Sequence, residues 1–406
     1  MANPDLLQDS HIRQAYPADV LERAQYLLSR ISGGIGAYSH SQGYQVVRES
    51  VANFIQRRDN GAEVSYDDIF LTNGGSSAVD YVLTQVVHSE KDGVLIPIPQ
   101  YPLYQALLTL HGASAVGYYL DSKEDRWQVS VNSMKKAVEA VRKRGISPRL
   151  IVVINPGNPT GQVLSDENIR EIIEFCRENK LMILADEVYQ DNIYMEGAKF
   201  HSFRKIATEM KFPYEVFSVH SLSKGYHGEC GLRGGYLDTY NVLPEVKEQI
   251  LKLASISLCS NSIGQIAVDL MVNPPITGSP SHERYIQERS AIMQTLIRKS
   301  QMMYEGLNQM ANTQCNKVEG AMYAFPEVKF SPKAIQAAAE ANMPVDTFYV
   351  LRALEETGII LVPGSGFGQE AGTYHFRITN LVTESKVESM LKLLREFNAK
   401  FHQEYS

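Results

Sequence analysis

From about residue 65 to residue 270 the chain alternates short, unbroken apolar runs with longer stretches of helical period. The runs are Ile69-Phe70-Leu71, Gly93-Val94-Leu95-Ile96, Leu150-Ile151-Val152-Val153-Ile154, Leu181-Met182-Ile183-Leu184-Ala185 and Glu215 to Val219. Strands made from such runs are apolar on both faces and have none to give to water. The segments between them carry helix signals. In SDENIREIIEFCRENK, Ser165 stands as an N-cap ahead of acidic first-turn residues, and apolar residues then recur every three or four positions. Strands buried on both faces and joined by helical crossovers predict an α/β fold, a mostly parallel sheet flanked by helices. Ligands of such sheets bind beyond the carboxyl ends of the strands.

Two breaks bound this region. VNPPITGSPSH (272–282) is rich in Pro, Gly and Ser, and a helical pattern runs on from about His282 to Met310. After it, Gly320 to Phe330, a helical stretch, IILVPGSGFGQE and YHFRIT read as a small α+β domain. Residues 1–34 are too short to fold alone and are expected to join it. The expected division is therefore 35–277 as a large ligand-binding domain and 278–406 as a long linking helix with the small domain. The longest apolar runs are strand-sized, well short of a membrane span. The start, MANPDLLQDS, lacks the basic and apolar regions of a secretory signal. Four cysteines, at 176, 230, 259 and 315, show neither CxxC nor metal-ligand spacing. That argues against a disulfide framework or a metal site, and for a reducing, cytoplasmic setting. A net charge of −7 gives no basic footprint for nucleic acid or membrane.

The strand ends carry the chemistry. FLTNGGSSAVDYVL follows a strand with two glycines and opens a helix at Gly75, Ser76 and Ser77. Glycines let backbone approach an anion, and a helix start offers free N–H groups, although a plain strand–turn–helix junction reads the same way. IPIPQYPLY holds Tyr101 and Tyr104 among three prolines, either to stack on a flat ligand or to pack beneath a loop. INPGNPTG presents Asn158 on a rigid loop that is also an ordinary turn. LADEVYQD ends a buried run at Asp186, with Tyr189 three residues on; Asp186 can hold a buried cation or cap a helix. Asp186 is expected to be buried and Glu187 to point elsewhere. The last end, HSLSKGYHGECGLRGGY, places Lys224 in a loop of five glycines, between Ser221 and Arg233. Serine and arginine suit an anion, and the lysine between them suits an imine-forming nucleophile.

Taken together, a phosphate cradle, a stacking tyrosine, an amide, a buried carboxylate, a nearby tyrosine and this lysine are what pyridoxal 5′-phosphate needs. A carboxylate that keeps the ring nitrogen protonated makes the ring an electron sink.

The chain resembles the class I/II aminotransferases of fold type I, and within them the branch acting on alanine. The resemblance is carried by GVLIPIPQYPLY, INPGNPTGQV, LADEVYQDN, HSLSKGYHGECGLRGGY, GAMYAFP, LEETGI and VPGSGFGQEAGTYHFRIT. It implies exchange of an amino group between L-alanine and 2-oxoglutarate, giving pyruvate and L-glutamate by a ping-pong route. It also implies a homodimer with shared active sites. Residue by residue, it makes Lys224 the Schiff-base lysine and Asp186 the partner of the ring nitrogen. Tyr189 and Asn158 contact the phenolic oxygen, and Tyr101 stacks on the ring. Gly75, Ser76, Ser221 and Arg233 hold the phosphate, joined by Tyr38 from the other subunit. Arg377, in YHFRIT, grips the substrate carboxylate beside Asn158; read alone, an arginine in an alternating strand is more often a surface or salt-bridged one.

The match begins near NPDLL, where the family's chains usually carry a longer N-terminal segment. That implies a shortened or incomplete start, and a mitochondrial presequence would lie there. Three other readings stand beside this one. A cofactor-fold regulator would need a DNA-binding segment, and a dinucleotide-dependent oxidoreductase would leave Lys224, Asp186 and Arg233 without work. A lyase, or an aminotransferase preferring glyoxylate, would keep the cofactor.

Overall fold

The computed structural model describes residues 3–123 and 125–406, and the five apolar runs become strands close to where the sequence places them. The strands that position the site are β1 (Ile69–Thr72), β2 (Asp92–Ile98), β3 (Ser114–Tyr119), β4 (Ser147–Ile154), β5 (Met182–Asp186), β6 (Val216–Ser221), β7 (Gly235–Tyr240), β8 (Tyr323–Ala324), β9 (Val362–Pro363) and β10 (Phe376–Thr379). Strands β3 and β7 lie outside the expected runs. β3 pairs only with β2 and buries alternate residues, so it makes no continuous apolar run. β7 is buried except at its last residue, Tyr240, but carries Asp238, paired with the buried Arg204, which breaks its apolar pattern.

One compact unit comprises the described part of Met1–Val86, with Met182–Val188 and Ser202–Ile292. Its strands run in the order β1-β7-β6-β5. β5 and β6 are parallel, while β7 is antiparallel to both β1 and β6. The reversal follows from the connection: residues 222–234 form a loop with no crossover helix, so the chain returns beside the strand it left. The core of this unit includes Leu27, Val47, Val51, Ile55, Leu71 and Val268. The helix Ser262–Val272 ends at the Pro/Gly/Ser break and the helix His282–Asn308 begins after it, as the sequence predicts.

The other unit comprises Val87–Leu181, Tyr189–His201 and Met293–Ser406. Here β2 lies between β3 and β4, all parallel. Ser165 caps the helix Asp166–Asn179 as expected, accepting the Asn168 N–H at 3.1 Å, and Cys176 is buried beneath it. A small antiparallel sheet, β8-β10-β9, pairs Tyr323 with Thr379 and Val362 with Arg377. Around it packs a core of Met303, Leu307, Tyr349, Phe376, Leu394 and Phe401. The architecture is the expected α/β one, a mainly parallel sheet with helical crossovers. Among the described residues no helix is long and apolar enough to cross a membrane, and no group of three or more His, Cys, Asp or Glu is placed to hold a metal.

Candidate active site

In the first unit the residues expected to hold an anion lie around one helix start. β1 ends at Thr72, and the helix Gly75–Val86 starts three residues on, leaving its first N–H groups without helical acceptors. Gly74 has φ +87°, which strains any other residue, and a Cβ built on it would lie 2.4 Å from Arg233 Nη2, so a side chain here would also displace the guanidinium. Arg233 donates from Nη1 to the Cys230 carbonyl and from Nη2 to the Asn73 carbonyl, each at 3.0 Å. Its guanidinium is thereby held across the start of the helix. Ser221, the last residue of β6, accepts the Ser223 N–H at 3.1 Å. Its Cβ is 3.8 Å from the position a Gly75 side chain would occupy. Ser221 and Arg233 thus flank the start of the helix that opens with Gly75 and Ser76.

The acidic partner and the lysine sit on the same strand ends. Asp186 closes β5 opposite Val219 of β6, is 6% exposed, and accepts the Val188 N–H through Oδ1 at 3.4 Å. Lys224 lies three residues beyond Ser221 in a turn closed by the Gly228 N–H on its carbonyl at 3.3 Å. Glu187 corrects the sequence reading, being buried more deeply than Asp186 at 1% exposure. Its Oε1 accepts the Phe203 N–H at 2.8 Å, at the start of the helix Phe203–Glu209. Burial pushes its carboxyl up to about 8, against the pull of the Arg58 guanidinium. Tyr38 is on the surface of this unit, 79% exposed, and among the described residues its hydroxyl has no hydrogen-bond partner.

The second unit gathers the remaining residues. Arg377, on β10, donates from Nη1 to Asn158 Oδ1 at 3.2 Å. The same guanidinium lies over two rings, 4.3 Å from the centroid of Tyr323 and 4.8 Å from that of Phe367. The Tyr189 hydroxyl donates to that of Tyr323 at 3.1 Å, the rings meeting edge to face at 6.0 Å. Asn158, Tyr189 and Arg377 are therefore brought together, with Tyr323 among them. No role for Tyr323 is legible in the sequence; the only signal is an aromatic residue in the tight segment GAMYAFP. The two tyrosines that the sequence leaves undistinguished divide clearly. Tyr104 is fully buried, while Tyr101 is 38% exposed, beside a Gln100 N–H bonded to the Phe367 carbonyl at 2.8 Å.

Known proteins share this sequence pattern and fold. The family model for aminotransferase class I and II matches residues 5–394. Alanine aminotransferase 2 of Panicum miliaceum is 46% identical over 99% of this chain and 84% of its own length. Glutamate–glyoxylate aminotransferase 2 of Arabidopsis thaliana is also 46% identical, with the same coverage of 99% and 84%. Among solved structures, an alanine aminotransferase from Pyrococcus furiosus superposes with a TM-score of 0.78 at 26% identity, covering 93% of this chain and 88% of that one. With the family match running nearly end to end over a fold and strand ends of this kind, the chain belongs to the class I and II aminotransferases, a family that in general depends on pyridoxal 5′-phosphate.

Proposed function

We propose that the protein is a pyridoxal 5′-phosphate-dependent aminotransferase that exchanges an amino group between L-alanine and 2-oxoglutarate, in two half-reactions. The observation that carries this is the cradle of the first unit. A guanidinium tied to two carbonyls beside a helix start, so close that a Cβ on Gly74 would displace it, suits a phosphate, and it stands nine residues after Lys224. The residues present therefore fit the cofactor. Gly75, Ser76, Ser221 and Arg233 hold its phosphate, Asp186 keeps a proton on the ring nitrogen, and Tyr101 stacks on the ring. Asn158 and Tyr189 hydrogen-bond its phenolic oxygen. When bound, pyridoxal phosphate supplies a sink for the electron pair left at the substrate Cα. Lys224 holds the cofactor through its amine and then moves the proton at Cα. Arg377, oriented by Asn158, grips the α-carboxylate with its planar fork. The exposure of Tyr38 supports a homodimer in which this residue reaches the phosphate of a second copy.

The fork recognises any α-carboxylate, so the choice of alanine rests on relatives such as that of Panicum miliaceum. A preference for glyoxylate as acceptor is the second reading, favoured by an equally similar glutamate–glyoxylate aminotransferase. Measuring kcat/KM for alanine, aspartate and tyrosine with 2-oxoglutarate, for glutamate with pyruvate, and for all four donors with glyoxylate tests both. Alanine and glutamate should lead by at least roughly tenfold, about 1.4 kcal/mol of transition-state discrimination. An aspartate or tyrosine lead would leave aminotransferase chemistry standing and remove the alanine assignment.

A further inference from the structure

Tyr323 is held in place more firmly than a packing residue requires. It opens β8 opposite Thr379 of β10, the strand that carries Arg377. The residues before it are hydrogen-bonded in two directions within the second unit. The Gly320 N–H donates to the Gly161 carbonyl at 2.8 Å, in the loop that carries Asn158. The Ala321 N–H donates to the Asn192 carbonyl at 3.0 Å, and the Asn192 N–H to that of Tyr189 at 2.7 Å. A Cβ on Gly320 would lie 2.6 Å from the Asn192 carbonyl oxygen, so only glycine allows this approach. Ala321 takes a left-handed φ of 61°, which a side chain disfavours by roughly 1–2 kcal/mol. A strained residue between two anchors persists because its surroundings determine it, and what they determine here is where Tyr323 points.

The side chain meets two functional groups in two different ways. Its ring face lies 4.3 Å from the Arg377 guanidinium carbon. A guanidinium stacked through its face keeps its in-plane N–H groups for a carboxylate and for Asn158. Its hydroxyl lies 3.1 Å from that of Tyr189. A hydroxyl has one hydrogen to give and two lone pairs. When Tyr189 donates to a ligand oxygen, Tyr323 can donate to Tyr189 in turn, and each bond polarises the other.

We propose that Tyr323 is a positioning residue with two separable roles: its ring fixes the plane of Arg377, and its hydroxyl orients and strengthens Tyr189 as a donor. The proposal rests on the roles given above to Tyr189 and Arg377.

Two variants of the holoenzyme separate the roles. Tyr323→Phe keeps the ring and removes the hydroxyl, whereas Tyr323→Leu removes both. Three quantities are read: KM for glutamate, the Kd of the unreactive dicarboxylate glutarate by calorimetry, and the midpoint of the pH titration of the bound cofactor's visible band. In Tyr323→Phe, KM and the glutarate Kd should stay within about twofold of the parent. The band midpoint should move to higher pH by a fraction of a unit, because a weakened Tyr189 donor stabilises the deprotonated phenolic oxygen less. In Tyr323→Leu, KM and the glutarate Kd should both rise by roughly tenfold. A Tyr323→Phe protein whose band titrates as in the parent overturns the hydroxyl role. One whose glutarate Kd rises as far as in Tyr323→Leu overturns the ring role. A parent protein that takes up no pyridoxal phosphate would instead remove the proposed function, and this proposal with it.

Discussion

On the proposed function, the two units solve different recognition problems with different materials. In the first, the expected anion site is made mostly of backbone and close approach: a helix start, a glycine at positive φ against a guanidinium, and an arginine tied to two carbonyls. In the second, an arginine is oriented by side chains alone: an amide at 3.2 Å and two aromatic faces within 5 Å. A phosphate that stays bound through every turnover suits a site shaped by main chain. A carboxylate that must leave on every turnover suits a fork that is aimed but not enclosed. On the proposed function, then, damage to the first region should show as loss of cofactor, and damage to the second as loss of substrate affinity.

The largest effect should come from the residue that serves both cofactor and substrate. Lys224→Ala removes the amine that holds the cofactor and the base that moves the Cα proton. Turnover should fall by more than the roughly 10²–10⁴-fold attributable to acid–base catalysis alone. Steady-state rates in the purified variant check this, and near-parental turnover would remove Lys224 from the chemistry.

The comparison itself is tested by a crossed pair of variants. Arg233→Ala should raise the dissociation constant of pyridoxal phosphate by roughly ten- to a hundredfold, the equivalent of one charge-assisted hydrogen bond at about 1.5–3 kcal/mol. With cofactor in excess, its KM for glutamate should stay close to the parent's. Arg377→Ala should do the reverse, raising KM by a similar factor while cofactor survives dialysis. If either variant moved both constants together, the two regions would not be separate devices.

That contrast also explains what the sequence could and could not tell. The cradle is local: Ser221, Lys224 and Arg233 share one loop, and Gly74, Gly75 and Ser76 share one turn, so their spacing alone is a signal. The apolar runs that place these loops at strand ends are equally local. The second cluster joins residues 158, 189, 323 and 377, which only the tertiary fold brings together. Asn158 and Tyr189 are legible singly as polar residues of strand-end loops and Arg377 only through the family resemblance; Tyr323 is not legible, because an aromatic residue in a tight segment looks like core. β3 and β7 escaped for a related reason: one is half exposed and the other carries a buried Asp238–Arg204 pair, and neither gives an unbroken apolar run. Glu187 was misjudged because its partners, the Phe203 N–H and Arg58, are likewise distant in sequence.

The smallest effect concerns that buried glutamate, and it sharpens the picture of the first unit as a rigid scaffold next to Asp186. Burial raises the Glu187 carboxyl from its ordinary 4.5 to about 8 in the folded protein. Between those values the folded state holds a proton that the unfolded state has released, so stability falls as pH rises through this window. Above about 8 both states are ionised and the dependence ends. The slope inside the window is at most about 1.4 kcal/mol per pH unit. Two other buried groups of this unit act at lower pH. Asp238 is pushed up to about 6, and His220 is held down at about 3, so its effect appears only as pH falls below its ordinary 6.5. His227 and His375 are likewise held down at about 4, and burial pushes the Cys176 and Cys315 thiols up from their ordinary 9. Their effects therefore fall below about 6.5 or near 9, and from about pH 7 to 8 Glu187 contributes most of the slope. Glu187→Gln retains an oxygen for the Phe203 N–H but cannot ionise. Its Tm should be nearly level across that interval, whereas the parent's should decline by a few degrees and then flatten. A parent Tm that is already level, or a variant that declines in parallel, would mean that Glu187 is ionised in the fold throughout, with Arg58 outweighing the cost of burial.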